Sequence, residues 1–197
     1  MSRMAEIKRE TGETRIALSL SLDGSGKAQL STGIGFFDHM MDAFARHGLF
    51  DVTLSVQGDL EVDGHHSVED TGIVLGEAIR QAIGDKKGIR RYGYFILPMD
   101  EALVLCAVDL CGRPYFVMDG EEKIAAPMVG GFDTELVREF FYSVSYAAGM
   151  NLHFKILSGA NSHHIIEAMF KAFAKALDMA TGYDTRIEDV LSTKGCL

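Results

Sequence analysis

The sequence predicts an α+β protein made of two successive βββαβα half-domains, whose two sheets are covered by helices. Two observations predict it: the order of extended and helical segments repeats along the chain, and a histidine-rich motif occurs at the same place in each repeat. A hydrophobic content of 47% with 24% charged residues is typical of a globular protein. The repeat indicates duplication of one ancestral half.

In the first half, alternating apolar residues and turn residues predict three strands, a helix, a fourth strand and a second helix. Gly48 and Gly84 are the expected ends of the two helices. The predicted segments are Met4–Glu10, Thr14–Leu22, Lys27–Ser31, Phe37–His47, Asp51–Gln57 and His66–Ile83.

The second half repeats this order. Asp133 and Ser162 are the expected N-caps of its helices, which end before Gly149 and Gly182. The predicted segments are Tyr92–Met99, Ala102–Asp109, Pro114–Asp119, a helix from Asp133 to Ala148, Asn151–Leu157 and a helix from Ser162 to Thr181. We therefore divide the chain into halves at 1–86 and 87–182, followed by a C-terminal tail at 183–197.

Charge and composition exclude several classes of partner. A net charge of −9 argues against binding to nucleic acid or to a membrane surface, but not against a small anionic substrate. No apolar run is long enough to span a bilayer, and the N-terminus lacks the apolar core of a signal peptide, so we expect a cytoplasmic protein. Cys106, Cys111 and Cys196 are too few for a disulfide framework, and we expect the first two to be buried thiols.

The repeated motif predicts metal binding. It reads His65-His66-x-x-Glu69 in the first half and His163-His164-x-x-Glu167 in the second. Residues i and i+4 share one helix face, so the first histidine and the glutamate of each motif can chelate one ion. The adjacent histidine points about 100° away, so it is poorly placed for the same ion.

An exchange between motifs would complete both sites: His164 would join His65 and Glu69, and His66 would join the other pair. This exchange could occur within one chain or between neighbouring subunits. His39 and His153 are the remaining candidate ligands, one for each site. Four protein ligands leave two positions of an octahedral ion open, which favours a catalytic site over a structural one. Nitrogen-rich ligands suit zinc, iron, nickel or manganese, so the spacing does not name the ion.

Six motifs, which together cover almost the whole chain in order, resemble the imidazoleglycerol-phosphate dehydratase family. The matching segments are Arg9-Glu10-Thr11-Gly12-Glu13-Thr14, Phe36-Phe37-Asp38-His39-Met40, Asp63-Gly64-His65-His66-Ser67-Val68-Glu69-Asp70, Asp109-Leu110-Cys111-Gly112-Arg113-Pro114, Asn161-Ser162-His163-His164-Ile165-Ile166-Glu167-Ala168 and Ser192-Thr193-Lys194-Gly195. The resemblance implies a monofunctional carbon–oxygen hydro-lyase of histidine biosynthesis with a fold similar to ribosomal protein S5 domain 2. It also implies two Mn²⁺ ions per active site and a homo-oligomer of 24 chains built from trimers, with active sites at subunit interfaces.

The resemblance further implies the reaction and the residues that carry it. D-erythro-imidazole-glycerol phosphate would lose water to give imidazole acetol phosphate. A metal would hold the ring as an imidazolate, which expels the adjacent hydroxyl to give a diazafulvene before a base removes the neighbouring proton. Glu13 is the implied base. The implied phosphate contacts are Arg91, Arg113, Lys171, Ser192, Thr193 and Lys194.

Two other functions remain open at this point. A di-metal hydrolase would release phosphate from a phosphate ester, whereas the dehydratase would retain the phosphate and form a ketone. A metal-storage protein would saturate its ions with protein ligands, and eight candidate ligands for two ions disfavour that function.

Overall fold

The computed structural model describes residues 3–197. In the first half, apolar residues alternate along the strands and recur at helical spacing in the helices, as predicted. The elements are β1 (Met4–Glu10), β2 (Thr14–Ser21), β3 (Ala28–Ser31), α1 (Gly35–Gly48), β4 (Asp51–Gly58) and α2 (His65–Ile83).

The second half contains the same six elements and one additional hairpin. The elements are β5 (Tyr92–Met99), β6 (Ala102–Asp109), β7 (Tyr115–Asp119), the short hairpin β8 (Met128–Val129) and β9 (Phe132–Asp133), α3 (Leu136–Ala148), β10 (Asn151–Ser158) and α4 (Ser162–Thr181). A single 3₁₀ turn at Glu121–Lys123 precedes the hairpin.

Each half forms a four-stranded sheet, and the two sheets have the same topology. Their strand orders are β1-β2-β4-β3 and β5-β6-β10-β7. In both, the strand at one edge, β3 or β7, runs parallel to its neighbour, and the other pairs are antiparallel. The same strand positions occur in the same order, so the structure confirms the duplicated α+β fold.

The helices pack between the two sheets and join the halves. α2 packs on β1 and β2, α4 packs on β5 and β6, and across the halves α2 packs on α3 and α1 on α4. Phe141 lies at the centre of the second half, with its ring centroid 4.6 Å from that of Phe154 and 4.8 Å from that of Phe170. Where β5 crosses α4, a side chain at Gly93 would lie 1.8 Å from the carbonyl oxygen of Ala176. This close crossing fixes α4, which carries the second motif, against its sheet.

Two predicted helix caps are wrong. Asp133 does not cap α3, because its backbone pairs with Met128 in the hairpin and the helix begins only at Leu136. Ser162 does not cap α4, because it is already helical and its hydroxyl accepts a hydrogen bond from the N–H of Ala126 at 3.0 Å. Asn161 is the cap of α4.

The predicted end of α1 is also shifted. Gly48 is the last helical residue, and Leu49 takes the left-handed conformation that normally favours glycine, with φ of 58°. A side chain at Gly48 would lie 2.2 Å from the ring of Phe50, so the glycine makes room for a buried aromatic residue. None of the helices within 3–197 combines the length and apolar character needed to cross a bilayer.

Candidate metal centre

Both histidine motifs lie in the first turn of a helix, where a polar side chain at or just before the helix start accepts backbone N–H groups. The Asn161 side chain accepts hydrogen bonds from the N–H groups of His163 at 2.9 Å and His164 at 3.4 Å. Before α2, Asp63 accepts a hydrogen bond from the N–H of His65 at 2.7 Å. Because these bonds occupy free N–H groups at a helix start, they hold in place the backbone from which the histidines extend.

Three of the predicted ligands converge around the second histidine motif. His163 Nε2 lies 3.1 Å from Glu167 Oε2, and His39 Nε2 lies 3.4 Å from the same oxygen. Within residues 3–197, this is the one group of three metal-ligating side chains whose ligand atoms all lie within 4.8 Å of each other. His39 comes from α1 and the other two from α4, so the packing of these helices assembles the cluster.

Electrostatics keep the shared carboxylate ionised. Glu167 is 7% exposed, and burial by itself would raise its pKa. The hydrogen bond from Lys171 Nζ, at 2.6 Å from Oε1, the lysine charge, the hydrogen bond to His163 and the charge of His39 together outweigh burial, so the pKa of Glu167 is lowered below its ordinary value. Two imidazoles and a carboxylate are a donor set that suits a divalent transition metal. The residues present therefore fit a metal.

The first motif forms only a pair. His65 Nε2 lies 3.8 Å from Glu69 Oε2, and both side chains are 42% exposed. No third ligand of the same chain joins them within the described residues. The pair agrees with the predicted i, i+4 geometry, but a single chain leaves it incomplete as a metal site.

The second histidine of each motif lies between two carboxylates. His66 Nδ1 lies 3.0 Å from Asp59 Oδ2, and its Nε2 lies 3.7 Å from Glu13 Oε1. His164 repeats this arrangement: its Nδ1 lies 2.8 Å from Glu101 Oε2, and its Nε2 lies 3.6 Å from an Asp100 oxygen. Sequence reasoning missed Asp59, Asp100 and Glu101, because they stand outside the motifs in loops and no spacing connects them to the histidines.

These contacts shift the pKa values of both histidines and of Glu101. The hydrogen bond to Asp59 is the main cause that raises the pKa of His66, and the hydrogen bond to Glu101 does the same for the pKa of His164. The reciprocal bond from His164, together with the N–H groups of Asn161 and Ala160, lowers the pKa of Glu101 to about 2. Glu101 is therefore an anion at every physiological pH.

The structure does not bring the exchanged histidines together within one chain. Among residues 3–197, no ligand group joins His66 to the second motif or His164 to the first. His153 lies on the exposed side of β10 and stacks on Tyr115, with ring centroids 6.3 Å apart. The exchange and the role of His153 therefore stay predictions, and they require a neighbouring chain.

The predicted base, Glu13, lies in the tight turn between β1 and β2. The Thr11 hydroxyl accepts hydrogen bonds from the N–H groups of Glu13 at 3.2 Å and Thr14 at 3.0 Å. The turn is therefore fixed at its backbone, while the carboxylate of Glu13, 56% exposed, stays free to reach a ligand.

The predicted phosphate contacts fall into separate groups. Arg91, Ser192 and Thr193 line a surface cavity of about 640 Å³, and Arg91 Nη1 donates to the carbonyl oxygen of Leu191 at 2.7 Å. Arg91 is also paired with Asp109 at 2.7 Å. Lys194 directly follows Thr193, and its N–H donates to Ser192 Oγ at 3.2 Å, whereas Lys171 and Arg113 are not among the lining residues. Lys171 is bound to the buried carboxylate of the metal-ligand cluster, and the side chains of Arg113 and Lys194 form no ion pair within the described part of the chain.

A duplicated α+β fold with a histidine–carboxylate cluster that fits a divalent metal is the arrangement expected of a metal-dependent enzyme. The family model of imidazoleglycerol-phosphate dehydratase matches residues 32–177. A relative from Lachnoclostridium phytofermentans with that name is 63% identical over 99% of this chain and 98% of its own, and one from Acetivibrio thermocellus is 61% identical over the full length of both. The crystal structure of imidazoleglycerol-phosphate dehydratase from Staphylococcus aureus superposes with a TM-score of 0.83 at 38% identity, over 92% of this chain and 99% of the other. That of the Pyrococcus furiosus enzyme gives 0.82, also at 38% identity, over 97% and 100%.

The chain therefore belongs to the imidazoleglycerol-phosphate dehydratase family. Membership makes it a carbon–oxygen lyase of histidine biosynthesis that acts on a small molecule, and the cluster of His39, His163 and Glu167 fits the divalent metal that the sequence predicts.

Proposed function

We propose that the protein removes water from D-erythro-imidazole-glycerol phosphate to form imidazole acetol phosphate, with two Mn²⁺ ions per active site. The observation that carries the proposal is the convergence of His39 and His163 on the ionised carboxylate of Glu167. Bound there, a divalent ion would supply Lewis acidity to the imidazole ring of the substrate. The full-length similarity to relatives with this activity supports the assignment of the substrate.

The ligand sets are proposed to be completed between subunits. His39, His163 and Glu167 would hold one ion together with His66 of a neighbouring chain. His65 and Glu69 would hold the other with His164, and His153 is the remaining candidate. Since each set is incomplete within one chain, the proposal includes a homo-oligomer, and the assembly of 24 chains built from trimers is the size that the family resemblance implies.

The proton-transfer step is assigned to Glu13. Its turn is anchored through Thr11, and its carboxylate lies 3.7 Å from His66 Nε2, a proposed metal ligand. If the substrate ring binds the ion that His66 ligates, the carbon chain of the substrate would lie near the Glu13 carboxylate. Glu13 would remove the proton from the carbon next to the one that lost its hydroxyl, which keeps the predicted order of hydroxyl loss before proton loss.

The phosphate is assigned to the cavity beside the C-terminal tail. Arg91 and the hydroxyls of Ser192 and Thr193 line it, and a guanidinium can bind a phosphate through two hydrogen bonds. Arg113 and Lys194 are proposed to contribute further positive charge. Within one chain, Lys171 forms an ion pair with Glu167. It could therefore bind the phosphate only where the substrate reaches the metal-ligand cluster.

The test of the function is a product assay with Mn²⁺-reconstituted protein and imidazoleglycerol phosphate. We expect a ketone that retains its phosphate, and its formation should be lost in the His163→Ala variant. Release of inorganic phosphate without a ketone would instead identify a di-metal hydrolase. Light scattering of the same preparation would test the assembly of 24 chains.

A further inference from the structure

The second histidine of each motif is held through the same ring nitrogen by a carboxylate from outside its helix. Asp59 approaches His66 Nδ1 with both oxygens, at 3.0 and 3.2 Å. Glu101 approaches His164 Nδ1 at 2.8 Å. Neither Nε2 atom forms a hydrogen bond within the described part of the chain, since the nearest carboxylate oxygens are 3.6 to 3.7 Å away.

The two holding carboxylates come from positions that the duplication does not relate. Asp59 follows β4 in the connection to α2, whereas Glu101 lies in the turn between β5 and β6. The turn that corresponds to Glu101 in the first half, between β1 and β2, carries Glu13. Carboxylates from two non-equivalent positions therefore form the same hydrogen bond to Nδ1 of the second histidine. This indicates that both sites need the bond, because duplication alone would have placed the two carboxylates at equivalent positions.

The carboxylate of Glu101 is itself fixed. Its Oε1 atom accepts hydrogen bonds from the N–H groups of Asn161 at 2.8 Å and Ala160 at 3.1 Å, just before α4. The other oxygen is then directed at the His164 ring. Asp59 has no side-chain bond other than that to His66 within the described residues, so the two halves differ in how firmly the carboxylate is held.

A carboxylate on Nδ1 decides which ring nitrogen carries the proton. A neutral imidazole has one N–H and one lone pair, and an anionic oxygen can only accept. In the neutral ring the proton therefore lies on Nδ1, and the lone pair on Nε2 is free. Such outer carboxylates orient metal-binding histidines and increase their basicity.

We propose that Asp59 and Glu101 are positioning residues that fix the Nδ1–H form of His66 and His164 and so present both Nε2 atoms as ligands. The inference rests on the proposed function, because it assumes that these histidines bind the ions. It adds two residues outside the recognised motifs to the metal centre.

The test measures metal affinity and protonation form, without substrate, on the full chain in its native assembly. Mn²⁺ titration followed by electron paramagnetic resonance would compare wild type with Asp59→Ala, Asp59→Asn, Glu101→Ala and Glu101→Gln. We expect each alanine variant to lose about 10- to 100-fold in affinity for the ion that its histidine binds. The amide variants should lose less than about threefold, because an amide oxygen can still accept the Nδ1–H bond. The matched control is Glu6→Ala, an exposed glutamate of β1, which should bind Mn²⁺ as wild type does.

Solid-state nuclear magnetic resonance of ¹⁵N-histidine in metal-free protein gives a readout that a purely structural role would not change. At a pH high enough for both rings to be neutral, we expect His66 and His164 to give the signals of Nδ1-protonated rings in wild type, with one of these two lost in each alanine variant. Unchanged Mn²⁺ affinity in the alanine variants, or equal losses in alanine and amide variants, would overturn the proposal. If Glu101→Ala does not fold, the Asp59→Ala variant still tests the proposal. Among residues 3–197, the Asp59 carboxylate accepts no backbone N–H group, so its removal should not disturb the fold in the same way.

Neither measurement uses the substrate, so the two proposals can fail separately. Wild type that forms no ketone while Asp59→Ala binds Mn²⁺ weakly would refute the dehydration but not the positioning. Normal turnover by wild type with unchanged affinity in the variants would refute the positioning alone.

Discussion

His39 Nε2 lies 3.4 Å from Glu167 Oε2, although one residue belongs to the first half of the chain and the other to the second. α1 and α4 pack together across the two halves, and this contact brings the imidazole to the carboxylate. The metal-ligand cluster therefore depends on docking of the halves as well as on the local motif.

This relationship predicts that His39→Ala weakens metal binding although the His163–Glu167 pair remains. The loss of Mn²⁺ affinity should be larger than the roughly 10- to 100-fold that follows removal of a residue hydrogen-bonded to a ligand, because here a ligand itself is removed. The dissociation constant for Mn²⁺, measured by titration, checks it. The matched control is His47→Ala, another histidine of α1 that lies outside the cluster, and equal affinities in the two variants would contradict the assignment.

Glu13→Gln should lower kcat by about 10² to 10⁴-fold, the usual contribution of a general base. The metal content should stay at the wild-type value, because the nearest proposed ligand atom is 3.7 Å from the carboxylate. Steady-state kinetics with metal analysis of the same sample checks both points. Glu10→Gln, which alters an exposed glutamate at the end of β1, is the control and should keep full activity. A Glu13→Gln enzyme with normal kcat would exclude this residue as the base.

Lys194→Ala should raise KM for the phosphorylated substrate with little effect on metal affinity. A hydrogen bond to a charged group contributes about 1.5 to 3 kcal/mol, so KM should rise about 10- to 100-fold. Inhibition by inorganic phosphate should weaken in parallel. Lys8→Ala on β1 is the matched control, and a normal KM in Lys194→Ala would remove this lysine from the phosphate site.

Asn161→Ala should destabilise the protein by about 1 kcal/mol, because the cap of α4 is lost. Its side chain accepts the N–H groups of both histidines in the second motif. Urea unfolding of metal-free protein measures the change. Asn161→Asp should retain most of the stability, since a carboxylate also caps a helix, and an alanine variant as stable as wild type would show that the cap is not needed.

The three cysteines should differ sharply in reactivity toward a thiol reagent. Burial raises the pKa of Cys106, and its thiol has no access to solvent in the folded chain. Cys111 is also buried, whereas Cys196 is exposed near the C-terminus. We expect Cys196 to react at once and the others only on unfolding. Rapid labelling of Cys106 in native protein, located by peptide mapping, would contradict the packing of β6.

The order of the elements could be predicted because the relevant signals are local. Alternation along β6 and helical spacing along α4 follow from which side chains face the core. The repeated motif placed both ligand pairs at helix starts, and the structure has them there. The hairpin of β8 and β9 was missed because two-residue strands carry too little pattern, and its pairing displaced the predicted cap at Asp133.

The rest of the site could not be predicted because it depends on contacts between distant segments. Asp59 and Glu101 are ordinary loop residues in the sequence, and only the folded chain places them on the ring nitrogens of the motif histidines. His39 could be recognised as a candidate ligand, but its partner depended on the packing of α1 against α4.

If the proposed function is correct, the dehydration requires a divalent ion bound by His163, Glu167 and His39. The most direct measurement is ketone formation by chelator-stripped protein as Mn²⁺ is added back, with wild type beside Glu167→Gln. We expect stripped wild type to be inactive and to recover as the ion binds, whereas the variant should stay inactive at concentrations that saturate wild type. Full turnover by stripped wild type, or by Glu167→Gln, would contradict this expectation.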